Sequence, residues 1–233
     1  MAGDCRSTGE IVPVTNSTEE ILTEYVDHKA LVKRLFDLFI VVFLLFLAAP
    51  LIMCLITLVK LDQWLEHDGA PLLITEPRLS HGELFNLVKL NMYREAARRK
   101  YMHEDTRYHR EGTYAYLQKD PDSLSMTGRL IVKFYLDEMG QFYNVLRGDM
   151  SLVGPRPHPA NFESNSLPPR QLLKAGLVGF TATRWKNGEH VIPREADMEY
   201  LDVYQGSSAL GLVLTDIGVI YDAVRAVIKG KGL

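Results

Sequence analysis

The chain has 233 residues and a formal net charge of −3. That is the length of one domain with an appendage, and it lacks the basic field that draws a protein to nucleic acid. Its two cysteines, Cys5 and Cys54, have neither metal nor redox spacing, and its seven histidines include no ligand-spaced pair, so neither a disulfide framework nor a zinc site is expected.

Residues 1 to 16 are polar and are expected to be mobile, and they carry none of the marks of a secretory leader. A helix is predicted from Ser17, because Ser17-Thr18-Glu19-Glu20 fits a capping box and Ile21, Leu22, Tyr25 and Val26 recur at helical spacing. No breaker separates it from the next feature, Lys33 to Lys60. From Leu38 to Val59 this stretch contains no charge, enough residues to cross a bilayer of about 30 Å as one helix. Pro50 stands in its middle, where it interrupts helical hydrogen bonding. Two arrangements fit these residues. A kinked spanning helix would put the N-terminal tail across the membrane, whereas a re-entrant hairpin cornered at Pro50 would return both ends to one side. Lys33, Arg34 and Lys60 flank both ends with positive charge, which the positive-inside tendency reads as two cytoplasmic ends. A buried core helix, the third possibility, would need a larger soluble domain around it.

Asp62 to Arg78 reads as a loop leading to an extended piece, punctuated by Gly69, Pro71 and Pro77. Met92 to Lys119 is strongly charged, with Arg94, Arg98, Arg99, Lys100, Arg107 and Arg110 set among tyrosines. The plain reading is a solvated helix. The alternative is a helix against anionic headgroups, where each basic group adds about 1 kcal/mol.

The densest chemistry lies between Leu136 and Pro157, in LDEMGQFYNVLRGDMSLVGPRP. Asp137 and Glu138 are adjacent carboxylates, Asp149 is a third acid, and Arg156 is held between Pro155 and Pro157. Proline stiffens its neighbours, so Arg156 offers a planar guanidinium on a rigid turn, suited to a pair of phosphate oxygens. Arg147 is a second candidate for phosphate. Carboxylates nearby suit Mg²⁺, which often bridges to substrate phosphates. Asp149 fits a metal ligand or a turn-capping acid equally well. Together these residues read as a phosphoryl-transfer site. Beyond them, Ser207 to Lys229 is predicted to be a helix with a broad apolar face; Asp216 and Asp222 argue against its spanning a membrane, so it packs on the domain or lies at the interface.

This string closely resembles the signature of the monotopic bacterial phosphoglycosyl transferases, the sugar transferases that start cell-surface glycan assembly, roughly LDELPQ(W/F)NVLxGDMSLVGPRP. Other segments are similar to that family more loosely. Lys33, Arg34, Asp37 and Pro50 occupy the places of its re-entrant membrane helix. Gly69, Pro71 and Arg78 remain from a GPVFxxQxRxG-like segment, whose glutamine is lost. Lys89 begins a KFRSM-like run whose arginine is replaced by Asn91. Val132 and Tyr135 stand where the family has arginine and serine, and Gly140 replaces a proline, which is expected to loosen the backbone after the acidic pair. Gly176 and Gly179 are what remains of a PGITG motif.

The resemblance implies an α-rich α+β, monotopic membrane protein: a tail and lead-in helix (1–32), a re-entrant membrane helix broken at a proline (33–60), and a cytoplasmic catalytic domain with a small sheet component and interfacial helices (61–233). It implies transfer of a sugar-1-phosphate from a nucleoside diphosphate sugar, a UDP-sugar, to polyprenyl phosphate at the inner face of the bacterial membrane. Asp137 would be the nucleophile and Glu138 a Mg²⁺ ligand, with Asp149 a second metal candidate and Arg156, Arg147 and Lys89 on substrate phosphates. The implied partners are these two substrates and membrane lipid, with no nucleic acid; a homodimer is left open. Two rivals stand beside it: a catalytically silent relative that scaffolds glycan assembly, and a membrane phosphatase acting on a lipid phosphate.

Overall fold

The computed structural model describes residues 16–101, 122–159, 167–181 and 192–228. Helix α1 runs from Asn16 to Leu65 as one element with Pro50 inside it. The lead-in helix and the apolar stretch are therefore continuous, and helix persists past Asp62, where the sequence reading begins a loop. Asp62 belongs to the helix because its carboxylate accepts the backbone N–H of Thr127 at 2.7 Å. Most of the apolar residues of α1 are not core residues: Phe39, Val42, Phe43, Phe46, Leu47 and Met53 are all more than half exposed. A buried core helix is thus ruled out for this segment, which is long and apolar enough to cross a membrane.

Strands β1 (Leu73–Ser80) and β2 (Glu83–Leu90) form an antiparallel hairpin with Glu76 opposite Leu87 and Ser80 opposite Glu83. Its two-residue turn, His81-Gly82, has positive φ at both positions, 50° and 73°, as the twist of a tight hairpin demands. Helix α2 (Glu95–Tyr101) follows. Arg94 pairs with Glu66, and Arg98 and Arg99 pair with Glu95. These described cations of the basic stretch are thus held by acids of the protein itself. Arg107 and Arg110 lie outside the described residues, as do residues 1–15.

The second half is built from short elements: α3 (Met126–Lys133), a 3₁₀ turn (Leu136–Gly140), α4 (Gln141–Arg147), β3 (Met150–Val153), α5 (Pro168–Leu172), β4 (Ala175–Val178), α6 (Pro193–Gly206) and α7 (Ala209–Ile228). Strands β3 and β4 pair in parallel, with α5 in the connection between them. The result is helix-rich with two small sheets, in line with the α-rich expectation.

Two apolar clusters hold these pieces together. Val41 of α1 joins Met150, Val153, Val178, Tyr200 and Leu212 in the first. Leu55 and Val59 of α1 join Ile74, Leu90, Tyr93 and Ile131 in the second. Strand β2 contributes to both, through Leu87 and Leu90 respectively. The exposed apolar run of α1 is therefore flanked on each side by a segment docked on the same folded body.

The N-terminal dock is polar as well as apolar. Lys29 Nζ donates to the carbonyls of Tyr204, Gln205 and Ser207 at the end of α6. Lys33 Nζ lies 2.6 Å from Asp216 Oδ2, and the hydroxyl of Tyr200 donates to Asp216 Oδ1 at 2.8 Å. With side-chain exposures of 10% and 0%, the Lys33–Asp216 pair is buried. Removing one partner of such a pair strands the other charge, so Asp216→Ala is expected to cost about 3–5 kcal/mol. Thermal or denaturant unfolding in detergent reads this directly. A loss under about 1 kcal/mol would mean the pair behaves like a solvated one.

Candidate active site

The acidic pair sits on the 3₁₀ turn, which the chain enters through Tyr135 with a left-handed φ of 56°. For a tyrosine this conformation costs about 1–2 kcal/mol, a local strain placed directly before the two acids. Three residues per 3₁₀ turn make successive side chains diverge by about 120°, so the carboxylates leave the backbone in different directions. Gly140 closes the turn. Its φ of −59° is ordinary for a helix, and a Cβ there would lie 2.6 Å from the carbonyl oxygen of Val88. The glycine is thus a close-approach residue that seats the turn on β2, and the expectation of a loosened backbone is corrected.

The hairpin supplies the facing charges. Period-2 alternation puts Glu76 and Arg78 on one face of β1, and Lys89 is a diagonal neighbour of Glu76 across the ladder. Glu76 makes an ion pair with Arg78 and a second with Lys89 at 3.1 Å. Burial works against its charge, but Lys89 and Arg78 win and hold its carboxyl below the usual range. Asp137 shares this neighbourhood. Burial pushes its carboxyl up, Lys89 and Arg156 pull it down, and the Glu76 carboxylate pushes it up again; the net shift is upward. Glu138 meets the same Arg156, with Oε1 3.7 Å from one of its terminal nitrogens.

Arg156 is exposed as a side chain, yet its backbone is anchored. Arg170 donates to the Arg156 carbonyl at 2.6 Å and to Asp197 Oδ2 at 2.7 Å, so a buried ion pair braces the loop. Three glycines bring the strands together behind it. A Cβ on Gly176 would fall 2.1 Å from Gly154 N, and one on Gly179 would fall 2.7 Å from Gly154 O. Gly176 and Gly179 therefore set the height of the loop that carries Arg156. His158, two residues on, has its imidazole pKa lowered to about 4, by burial first and then by Arg170, Arg156 and Arg78. It is neutral at physiological pH and adds no charge to the cluster.

Other residues singled out in the sequence lie elsewhere. Arg147 and Asp149 stand beyond the far end of α4 from the acidic pair, 3.5 Å apart. Asp149 accepts from Asn144 Nδ2 at 3.1 Å, and its carbonyl accepts from Ser80 Oγ at 2.5 Å, contacts typical of a turn-locking acid. Asn91 is buried, donating to the carbonyls of Pro71 and Tyr93 and accepting the Tyr93 N–H. It shapes the chain after β2. Lys33, Arg34 and Asp37 dock α1: Arg34 donates to the carbonyls of Val145 and Leu146, and Asp37 Oδ2 accepts from Ser151 Oγ at 2.6 Å. Pro50 is exposed within α1.

Sequence reasoning passed over Glu76, His158, Arg170 and Asn144. Asn144 ties α4 to β2 by accepting from Val88 N and donating to the Asn86 carbonyl, both at 2.8 Å. The usable signal was Glu76, two residues before Arg78, where the family pattern has glutamine. An acid at an inward strand position needs a cation to pair with.

Three cations, Arg78, Lys89 and Arg156, face three carboxylates, Glu76, Asp137 and Glu138. Side chains alone are then near balance, and an incoming diphosphate would bring uncompensated negative charge. A divalent cation fits this donor set. Mg²⁺ takes one or two carboxylates and completes its shell with water and phosphate oxygens, so it needs no closed protein cage. Among the described residues there is no cluster of three or more His, Cys, Asp or Glu side chains of the kind that would form one.

Comparison with known proteins agrees with this geometry. The family described as "Bacterial sugar transferase" matches residues 28–230. The chain is 30% identical over 207 residues to the sugar transferase EpsL of Bacillus subtilis (strain 168), covering 87% of this chain and 90% of that protein. It is 27% identical over 216 residues to the exopolysaccharide production protein ExoY of Sinorhizobium fredii (strain NBRC 101917 / NGR234), covering 86% and 87%. Similarity to the undecaprenyl-phosphate glucose phosphotransferase of Komagataeibacter xylinus is 28% over 210 residues, covering 83% of this chain but only 35% of that protein. The match takes in both docks of α1, the hairpin, the acidic 3₁₀ turn and the Arg156 loop, so the chain belongs to the bacterial sugar transferase family.

Proposed function

We propose that this protein transfers a sugar-1-phosphate from a nucleoside diphosphate sugar, a UDP-sugar, to polyprenyl phosphate at the cytoplasmic face of the membrane, and so initiates assembly of a surface glycan. The observation that carries this reading is the placement of Asp137, half-buried among Lys89, Arg156 and Glu76. Asp137 attacks the β-phosphorus, the bond to the bridging oxygen breaks, and UMP leaves with the electron pair. The acceptor phosphate then attacks the aspartyl-phosphosugar, forming the lipid diphosphate sugar and restoring the carboxylate. Dividing the transfer in this way replaces one difficult step with two easier ones. Lys89 and Arg156 lie where they would offset charge on the transferred group, and Arg170 keeps the Arg156 backbone from yielding. Mg²⁺, held by Glu138, would neutralise diphosphate charge when bound.

The membrane seating is read from α1. Val41 and Leu55 are buried in clusters of the same body. The helix between them is about 20 Å long at 1.5 Å per residue, short of a bilayer core of about 30 Å. A body on one side of the membrane that holds both flanks favours a segment that dips in and returns. Pro50, lacking an N–H at its middle, is the natural bend.

Intact-protein mass spectrometry after incubation with a UDP-sugar alone tests the reaction. Wild type should gain the mass of a phosphosugar and release UMP, and Asp137→Asn should do neither. UMP release that strictly requires acceptor would instead favour direct attack by the lipid phosphate. Absence of turnover with any donor would favour a scaffold, and phosphate release from the lipid alone a phosphatase.

Arg156→Lys keeps the charge but loses the two-pronged donor, so kcat/KM should fall more than about tenfold, roughly 1.4 kcal/mol of transition-state stabilisation. Wild-type kinetics would make Arg156 a structural turn. The pH profile tests the environment of Asp137. Its raised pKa means that activity falls as pH drops through that value, because the nucleophile must be ionised. Burial is the larger cause of the rise, but Glu76→Gln removes the carboxylate that adds to it and releases Lys89 from its ion pair with Glu76. The acid limb of kcat/KM should therefore move to lower pH. An unmoved or upward-shifted limb would disconnect Glu76 from the nucleophile.

A further inference from the structure

A cavity of about 300 Å³ lies between the N-terminal flank of α1 and the β3–β4 sheet. The proposed reaction does not use it. Lys33, Arg34 and Asp37 of α1, His81 of the hairpin turn and Lys174 before β4 are among its walls, and none of Glu76, Lys89, Asp137, Glu138 or Arg156 is. His81 is five residues along β1 from Glu76, about 17 Å for extended chain. The cavity and the acidic pair sit toward opposite ends of the hairpin.

Its charges are unevenly matched. Lys33 is satisfied by Asp216 at 2.6 Å. Arg34 and Lys174 make their hydrogen bonds to neutral carbonyls, those of Val145, Leu146 and Gly148. The two cations converge: a Cβ on Gly148 would lie 3.5 Å from Arg34 and 3.8 Å from Lys174 Nζ. Burial, followed by Arg34, lowers the Lys174 pKa, against the weaker opposing pull of Asp37 and Asp149. An anion bound between the cations would relieve that repulsion. Asp37 presents the complementary need. Its Oδ2 accepts from Ser151, and its Oδ1 is buried without a hydrogen-bond partner, facing Lys33 Nζ at 3.8 Å, on a side chain only 4% exposed. A fitting ligand therefore carries a negative group and, beside it, a donor. The exposed apolar residues Leu35 and Phe39, 57% and 69% exposed, stand on the face of α1 turned away from the cavity-lining Lys33, Arg34 and Asp37.

We propose that this cavity binds the headgroup of a bilayer phospholipid, its phosphodiester between Arg34 and Lys174 and a headgroup hydroxyl or ammonium on Asp37. The bound lipid would brace α1 against the catalytic body. The proposal rests on the membrane seating described above and is independent of the transfer reaction.

The test is native mass spectrometry of the full chain in detergent. It is titrated with phosphatidylglycerol, phosphatidylethanolamine, phosphatidylcholine, undecaprenyl phosphate and inorganic phosphate. One phosphatidylglycerol or phosphatidylethanolamine should bind per chain, in preference to phosphatidylcholine, whose headgroup has no donor. Lys174→Gln removes a charge-assisted hydrogen bond and should weaken binding by about tenfold. Arg34 also holds the end of α4, so its loss would confound folding. His81→Asp is the second variant, since aspartate tolerates left-handed φ and puts repelling charge at the mouth; it should weaken binding too, with the lipid-free unfolding temperature unchanged. Equal binding of phosphatidylcholine, or unchanged affinity in both variants, would overturn the proposal. So would displacement by undecaprenyl phosphate, marking an acceptor site, or equal binding of inorganic phosphate, marking a general anion site. Bound lipid is read without turnover, so failure of sugar-phosphate transfer would leave this result standing.

Discussion

Lys33 carries an ammonium into the interior at the edge of an apolar helix. A charge removed from water costs several kcal/mol unless it is paired and hydrogen-bonded. Asp216 supplies the pair from α7, and Tyr200 of α6 donates to the same carboxylate while packing edge-on against Phe180. Helix α1 and the distant pair α6 and α7 are thereby committed to one arrangement, because any other would strand the lysine or the aspartate. Asp37, one turn further on, repeats the device with Ser151 of β3. The apolar helix is thus joined to the strand that leads into the Arg156 loop by bonds that cannot slide, unlike a purely hydrophobic contact.

The active-site cluster follows a different logic. Its side chains lie close to charge balance, with Glu76 held by Lys89 and Arg78 and Glu138 facing Arg156. Near balance keeps a half-buried cluster from carrying the repulsion of uncompensated like charges. Glu76 matters here because it both restrains Lys89 and raises the pKa of Asp137. Burial of Asp137 opposes its ionisation, while Lys89 and Arg156 favour it. The strained Tyr135 and the close contact of Gly140 with β2 keep the turn that bears it from relaxing away.

Several features were legible in the residues alone. The uncharged run from Leu38 to Val59, the helical C-terminus and the phosphate-suited motif follow from local composition and spacing, which a single stretch of chain carries within itself. Asp216 and Asp222 argued in sequence against a membrane span by the C-terminal helix; that Asp216 is buried against Lys33 emerged from the fold. Arg156 on its stiff turn was legible because proline restricts φ wherever it occurs.

The remainder depended on which stretches meet. Asp149 and Arg147 read as site residues because they are near the acidic pair in sequence, but α4 intervenes and carries them to its other end. Gly140 read as slack because glycine is flexible in isolation, whereas β2 lies against it and removes the freedom. Glu76, His158 and Arg170 carry no local mark; they acquire their roles only when the hairpin, the Arg156 loop and α6 converge. By itself the sequence determined the lead-in helix, the apolar segment and the C-terminal helix, all set by short-range rules. Tertiary structure alone decided which charges face Asp137 and which hold α1, because electrostatic partners are chosen by distance in space.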